Sequence, residues 1–300
     1  MESSRTGYSG GIDSSRTEER HRKNSAERKR KFLYGQQLFG RNQTLMTGLA
    51  LVFILFSMML FGLLFSPYGA AQMNGKEKFM SPCLTHWMGT DNFGRDIFTR
   101  VQHGMGMTVL IALSVTGIGA VFGTILGAVT GFYGGWLDEV LMRLNDMLAA
   151  FPGILLALVF ISVLGSGKYN IILALGIIFI PSYARIVRGE FLRLRELDYV
   201  KSARLMGASD FRIMLVHILP NCVPALLSAL TVGFNNAVLA EAGMSYLGIG
   251  VQPPDASLGR MLSEAQGYLF SAPWYALFPG IVIILLILGF SFISEGITKR

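Results

Sequence analysis

The sequence predicts an all-α membrane protein with six transmembrane helices. Hydrophobic residues make up 52% of its 300 residues, charged residues only 15%, and the mean hydropathy is +0.48. A soluble domain carries about 25% charged residues, so this chain lacks the charge to cover a water-exposed surface. Its ionic residues also separate long uncharged segments. Together these observations exclude the soluble, fibrous and disordered classes.

Six uncharged segments mark the predicted spans. A helix needs about 20 apolar residues to cross the hydrocarbon core, and five segments reach that length. The fourth span, 171–187, is short, and we expect Lys168 and Arg185 to extend it by snorkelling. Between successive ionic residues the uncharged segments are 42–75, 101–137, 147–167, 169–184, 213–240 and 265–294.

Basic residues predict the orientation. With the N-terminus inside, 20 Lys and Arg residues fall on the inner side of the membrane and six on the outer side. The loop between 185 and 212 alone holds seven of them. Cytoplasmic segments carry the excess of Lys and Arg, so both termini are predicted to be cytoplasmic.

Composition divides the chain into three parts. Residues 1–41 are rich in Ser, Arg and Glu, and they are predicted to be a largely disordered cytoplasmic tail. Residues 42–100 are expected to form the first transmembrane helix and an extracytoplasmic loop. Residues 101–298 are expected to form a core of five further helices. The first span follows about 40 mostly polar residues and has no small-residue cleavage site, so we interpret it as a retained anchor rather than a signal peptide.

Glycines recur every four residues along the second span, and this spacing places them on one helical face. In a bilayer such faces let two backbones approach closely. Packing within the chain is the simpler interpretation, and a sliding contact in a moving transport domain is the functional one. The glycines are Gly119, Gly123, Gly127, Gly131 and Gly135.

The segment between spans four and five is too polar to enter the membrane and too periodic to be a loop. Asp198 is predicted to cap a helix that starts at Tyr199, and Gly207 is predicted to end it in the left-handed conformation. Tyr199, Ala203 and Gly207 would share one face, and Ser209 would cap the next helix. This pattern fits a surface helix that docks on a cytoplasmic partner, and equally a solvated connector without one.

Several segments together resemble one family. The stretch from Tyr199 to Asn221, YVKSARLMGASDFRIMLVHILPN, is similar to the EAA loop of ATP-binding cassette (ABC) importer permeases. GTDNFGRD at 89–96, YARIVRGE at 183–190 and LAEAGMSYLGIGVQPP at 239–254 resemble the C-type permeases of the dipeptide/oligopeptide/nickel group. The likeness covers roughly residues 30–298 in the expected order.

This resemblance implies a type I ABC importer transmembrane domain in a bacterial inner membrane. It implies a peptide pathway shared with a second homologous permease, two cytoplasmic ATPase subunits that use ATP and Mg, and an extracytoplasmic substrate-binding protein that docks on outer loops including 245–272. It assigns a coupling helix at 199–210. The implied contact residues are Tyr199, Val200, Ala203, Gly207, Ala208, Ser209 and Asp210.

The sequence departs from the family pattern at Lys201 and Ser202, where an acid and an alanine are typical. A cation in the first turn meets the positive end of the helix dipole, and an ATPase with a compensating acid would match it. Nickel is the alternative substrate within the group. A proton-coupled carrier and a non-transporting scaffold are the alternatives outside it, and a carrier would need a relay of buried acids or histidines.

Three further residues are candidates for the pathway or an interface. Glu241 is an acid near the end of the fifth span, which by default indicates function, although an interfacial acid bonded to nearby backbone is the simpler interpretation. Pro181 and Pro220 are predicted to kink helices four and five, along a pathway wall or in packing only.

The sequence shows no catalytic or metal motif. Cys83 and Cys222 give neither a disulfide framework nor metal-ligand spacing. GSGK at 165–168 lacks the first glycine of a phosphate-binding loop. No aromatic-interleaved basic patch indicates nucleic acid. We therefore expect no enzyme activity, metal site or bound cofactor in this chain itself.

Overall fold

A computed structural model describes residues 43–62 and 64–298. The predicted basic tail at 1–41 lies outside the described residues. Every regular element in the described part is helical, apart from an isolated bridge between Thr90 and Asp96. The helices are α1 Gln43–Gly62, α2 Ile97–Tyr133, α3 Gly135–Ala149, α4 Gly153–Leu164, α5 Lys168–Leu194, α6 Asp198–Leu205, α7 Asp210–Arg212, α8 Leu219–Tyr246, α9 Leu258–Ala265 and α10 Trp274–Thr298.

Five candidate spans are long and apolar enough to cross a membrane, and the count is six if α3 and α4 together form one span. They are α1, α2, α5, the continuous helical stretch Asp210–Tyr246, and α10. That stretch joins α7 to α8 through a π-helical segment, Ile213–Ile218. The predicted membrane class is thus confirmed in the described part of the chain.

The third predicted span is broken. Helix α4 has only 12 residues and meets α3 at an angle of 89°. Pro152 lies at the corner, where it has no N–H to donate and disfavours a helical conformation at Phe151. Arg143 bonds Glu139 of the same helix at 2.8 Å, and Asp146 bonds Arg185 of α5 at 2.9 Å.

Helix α5 is longer than the predicted fourth span. Its 27 residues run from Lys168 to Leu194, so the helix continues past Arg185 into the polar segment expected between spans four and five. Pro181 lies inside α5 without ending it. Pro220 lies in the first turn of α8, directly after the π-helical segment, so it does not kink the middle of the fifth span.

Glycines hold α2 and α5 in close contact. A Cβ atom added at Gly123 would lie 2.5 Å from Cβ of Tyr183, and one at Gly131 would lie 2.7 Å from Cβ of Phe191. Gly119 and Gly127 meet α5 equally closely. Packing within the chain is therefore confirmed for these four residues. The fifth, Gly135, is not part of the contact, because it opens α3 and has no atom within 4 Å of its added Cβ.

Two apolar clusters form the core. In the described part of the chain, the larger one joins the N-terminal half of α2 to parts of α1, α4, α5, α8, α9 and α10. The smaller one lies at the C-terminal ends of α2 and α5, and it also takes in α6, the π-helical segment and the start of α8. Because side chains of five elements pack together in this smaller cluster, α6 has a fixed position relative to the membrane helices.

Candidate coupling surface and translocation cavity

The short helix α6 begins one residue earlier than predicted. Asp198 is its first residue, and Leu197 occupies the cap position without a side-chain hydrogen bond, so the predicted capping role of Asp198 is wrong. The Asp198 carboxylate still lies in the first turn, where the helix dipole favours an acid.

The predicted end of α6 is confirmed. Gly207 has a φ of 81°, its amide bonds the carbonyl of Arg204 at 3.0 Å, and the amide of Ala208 bonds the carbonyl of Ala203 at 3.1 Å. This pair of bonds is a Schellman motif, which needs a residue in the left-handed conformation. Ser209 caps the next helix by accepting a bond from the Arg212 amide. The chain therefore turns from α6 into the fifth span with few free backbone groups.

The two faces of α6 differ from the predicted assignment. Val200 and Ala203 are 1% and 5% exposed, so both face the protein, and Val200 packs into the smaller apolar cluster. Leu205 and Met206 are instead 89% and 82% exposed. Ala203 thus holds α6 to its own chain, while the outer face carries two large apolar side chains without a partner in the described structure.

Other predicted residues of the coupling helix lie around this outer face. Tyr199 is 40% exposed, with its hydroxyl 3.4 Å from Nδ2 of Asn221. Ser209 and Asp210 are exposed, Ala208 is partly buried, and a side chain added at Gly207 would meet no atom within 4 Å. We call the exposed set of Lys201, Ser202, Leu205 and Met206 the coupling surface. Leu205 and Met206 were missed, although two large apolar residues directly before a helix-ending glycine are a signal for them.

Hydrogen bonds and an ion pair connect the end of α5 and the segment before α6 to neighbouring helices. Arg195, between α5 and α6, donates to the carbonyls of Gly131 and Phe132 at 2.9 and 3.2 Å, at the C-terminal end of α2. Arg188 of α5 makes a bidentate pair with Asp138 of α3 at 2.6 and 2.7 Å. Carbonyls at a helix end have no partner within the helix, so Arg195 satisfies them and fixes the C-terminal end of α2 to the segment that precedes α6.

A cavity of about 680 Å³ opens between α5 and α8. Its lining combines apolar side chains with hydroxyl and amide groups and contains no charged residue. Neither Pro181, Pro220 nor Glu241 is part of the wall. The lining residues are Ile178, Phe179, Ser182, Tyr183, Ile186, Ala225, Ser228, Ala229, Val232, Gly233 and Asn236.

Glu241 is buried rather than interfacial. Its side chain has 0% exposure, and its carboxylate accepts bonds from the hydroxyls of Thr108 and Ser245 at 2.8 and 2.7 Å. The interpretation as an interfacial acid bonded to backbone is therefore wrong, because α2 covers this face of α8 and supplies a hydroxyl.

A buried charge cluster joins the loop before α2 to helices α9 and α10. Asp91 accepts bonds from Arg95 at 2.5 Å and from Arg100 at 2.6 Å, and both guanidinium groups also bond Glu264 at 2.9 Å. The Tyr275 hydroxyl donates to Glu264 at 2.8 Å. The sequence prediction counted Arg95 and Arg100 only as outer charges, since pairing across 169 residues leaves no local signal.

The same cluster sets the protonation of Glu264. Burial alone would raise its pKa, but the charge of Arg100, together with bonds from Tyr275 and Arg100 and the charge of Arg95, lowers the pKa to about 2. The Glu264 carboxylate is thus an anion at every physiological pH, and it links two arginines that would otherwise be buried without enough counter-charge.

We expect this carboxylate to make stability depend on pH in the acid range. Its folded pKa lies below its unfolded value of 4.5, so its contribution is present above about pH 4.5 and is lost as pH falls towards 2. The loss is on the order of 3 kcal/mol. Thermal unfolding of the detergent-solubilised protein at stepped pH measures it.

Glu264→Gln should unfold at a lower temperature at pH 7 and lose part of the acid dependence. Glu139→Gln removes an exposed partner of Arg143 and should leave the unfolding temperature unchanged. An identical pH profile for wild type and Glu264→Gln would contradict the role assigned to the cluster.

Comparison with known proteins identifies the family. The family described as binding-protein-dependent transport system inner membrane component matches residues 123–300. The dipeptide transport system permease protein DppC of Alkalihalophilus pseudofirmus is 37% identical over 258 residues, which is 86% of this chain and 84% of the relative. The glutathione transport system permease protein GsiD of Escherichia coli O6 is 40% identical over 260 residues, 86% of each chain.

A solved structure has the same fold. The MetNI methionine ABC transporter in an inward-facing conformation aligns with a TM-score of 0.54 and 20% identity, over 65% of this chain and 93% of the other. At this identity the match concerns the fold only. The family match and the two permease relatives show more: this chain belongs to the inner-membrane permease components of binding-protein-dependent ABC transport systems.

Proposed function

We propose that this permease forms one half of a peptide translocation pathway, for dipeptides or short oligopeptides. The observation that carries the proposal is the direct helical connection between the coupling surface and the cavity. Helix α6 leads through one turn into the stretch Asp210–Tyr246, and that stretch forms a wall of the cavity. The relatives named for dipeptide and glutathione transport support the choice of substrate.

The partners follow from this assignment. A second homologous permease would complete the pathway, two ATPase subunits would bind at the coupling surfaces, and a binding protein would deliver peptide to the opposite face. ATP and Mg act in the ATPase subunits, and this chain performs no covalent chemistry. The inner excess of basic residues supports cytoplasmic termini.

Energy would pass through the chain mechanically. When the ATPases close, they push the coupling surface, and the push reaches α8 through the short α7 and the π-helical segment. Arg195 and the Asp138–Arg188 pair carry the same displacement into α2, α3 and α5. The pathway would thereby change from inward-open to outward-open.

The cavity wall fits a substrate of variable side chains. Apolar surface with a few hydroxyl and amide groups offers weak, adaptable contacts to a peptide backbone, and it holds no fixed charge that would retain one side chain. Such a wall lets substrate leave as readily as it enters, which transport requires. Selection would then belong to the binding protein.

Copurification of the complex, followed by mass spectrometry of the ligand on its binding protein, tests the proposal. Proteoliposomes containing the complex should take up the identified peptide only with internal ATP. Nickel on the binding protein would replace the peptide assignment by the nickel alternative. Uptake driven by a pH gradient without ATP would indicate a carrier and contradict the proposal.

A further inference from the structure

Two backbone amides, one within and one directly after the segment that joins α8 to α9, bond to hydroxyls that are themselves bonded to Glu241. We call residues 247–257, between α8 and α9, the outer loop. The Val251 amide donates to Oγ of Ser245 at 3.1 Å, and the Leu258 amide, just after the loop, donates to Oγ1 of Thr108 at 3.2 Å. These two hydroxyls donate to the Glu241 carboxylate, and the hydroxyl of Ser257, at the end of the outer loop, also interacts with it.

The direction of these bonds is fixed by proton count. A hydroxyl has one proton and two lone pairs. Each hydroxyl oxygen already accepts an amide, and its proton points to one carboxylate oxygen, Oε1 for Ser245 and Oε2 for Thr108. The carboxylate therefore orients both hydroxyls at once. An amide in place of Glu241 could accept at only one of the two positions.

The cluster is buried and tightly packed. Glu241, Thr108, Ser245 and Leu258 all have 0% exposure. A Cβ added at Gly250 would lie 2.8 Å from Cα of Ser245, so the outer loop packs closely against α8 at this point. A buried polar group that loses its partner costs the full desolvation penalty. The two amide–hydroxyl bonds, which we call the clamp, are therefore hard to break.

The amide of Leu258 shows why the clamp is needed. Leu258 is the first residue of α9, and amides in the first turn of a helix have no acceptor within the helix. Thr108 of α2 supplies the acceptor from a distance of 150 residues in sequence. The Glu241 carboxylate therefore orients two hydroxyls, that of Thr108, which binds the start of α9, and that of Ser245, which lies at the end of α8.

The outer loop lies at the far end of α8 from the coupling surface. The stretch Asp210–Tyr246 has 37 residues, which is about 55 Å at 1.5 Å per residue. If ATPases bind at one end, the outer loop is on the opposite face of the membrane. Pro253 and Pro254 are exposed there, and Asp255 pairs with Lys168 of α5 at 2.8 Å.

We propose that Glu241 is a positioning residue that holds the outer loop in the conformation required for contact with the extracytoplasmic binding protein. It acts through Ser245 and Thr108 and does not touch substrate. The inference rests on the proposed function, because the binding protein belongs to that proposal. The clamp itself can be tested without any partner.

Site-resolved amide exchange on the full complex in proteoliposomes tests the clamp. Thr108→Val should speed exchange at the Leu258 amide roughly tenfold and leave Val251 protected, while Ser245→Ala should do the reverse. Glu241→Gln should speed exchange at one or both amides. Thr108→Ser keeps the hydroxyl and should restore protection. The matched control is Thr124→Val on the same helix, because the Thr124 hydroxyl has no hydrogen-bond partner among the described residues.

ATPase activity of the same complexes, titrated with the liganded binding protein found by copurification, tests the positioning. Thr108→Val and Glu241→Gln should raise the apparent KM for binding protein roughly tenfold with little change in the maximal rate. Unchanged exchange in these variants would overturn the clamp. Faster exchange with an unchanged KM would overturn the positioning role. If the ATPase activity of the wild-type complex does not respond to any binding protein, the proposed function is refuted, and the exchange result remains valid.

Discussion

Leu205→Asp should abolish ATP-driven uptake while the protein still inserts and folds. The Leu205 side chain is 89% exposed in the isolated chain, so the carboxylate disturbs nothing within it. In a docked complex the same position would be buried against the ATPase. Placing an unpaired charge in such a contact weakens it by about 2 kcal/mol or more, which is roughly a 30-fold loss of docking.

Two variants at the same position separate the causes. Leu205→Asn has nearly the shape of aspartate without its charge and should reduce uptake less. Leu205→Met conserves apolar volume and should transport normally. Uptake into proteoliposomes and copurification of the ATPase give the two readouts. Normal uptake by Leu205→Asp, with the ATPase still bound, would contradict the location of the coupling surface.

Gly207 is a less informative position for this experiment. The sequence pattern makes Gly207→Asp an obvious choice, but Gly207 has a φ of 81°. A side chain in the left-handed region costs about 1–2 kcal/mol, so the variant would combine backbone strain with a steric block. Leu205 has no such strain, and a loss of uptake there has one interpretation.

Gly123→Val should destabilise the protein by about 3 kcal/mol or more, at the upper end of the range for overpacking. A Cβ at this position lies 2.5 Å from Cβ of Tyr183 and 2.9 Å from the Ala184 amide nitrogen. Backbone atoms of α5 cannot turn aside as a flexible side chain can, so α2 and α5 must separate. We expect a lower unfolding temperature in detergent and less assembled complex in the membrane.

Gly117→Val is the matched control. It places the same side chain on the same helix, but its added Cβ meets no atom within 4 Å. Valine and glycine differ little in helix propensity, so the unfolding temperature should stay close to wild type. Equal destabilisation by both variants would contradict the assignment of the effect to the α2–α5 contact.

Local chemistry was predictable from the sequence. The four-residue spacing of Gly119 to Gly131 predicted a close helix contact, and the structure shows it against α5. The helix end at Gly207 and the cap at Ser209 followed from residue type, because the left-handed conformation and a side-chain acceptor are properties of single residues.

Features that depend on distant parts of the chain were not predictable in this way. Ala203 was assigned to the outer face because the inward side of α6 depends on packing against Ile213 and Phe132. The surroundings of Glu241 depend on Thr108 of α2. The charge cluster likewise needs Glu264 beside Arg95, which periodicity and spacing cannot place.

The shortness of α4 has a consequence for the membrane itself. Its 12 residues reach only about 18 Å, whereas the hydrocarbon core is about 30 Å thick. Asn170 donates to the carbonyls of Leu164 and Gly165 at 2.7 and 3.0 Å, which supplies partners at an end that lipid could not satisfy. If α4 crosses the membrane, the bilayer beside it must thin or be replaced by protein. In that case we expect transport to depend on membrane thickness, since thicker lipid would work against the arrangement of α4 that the chain adopts.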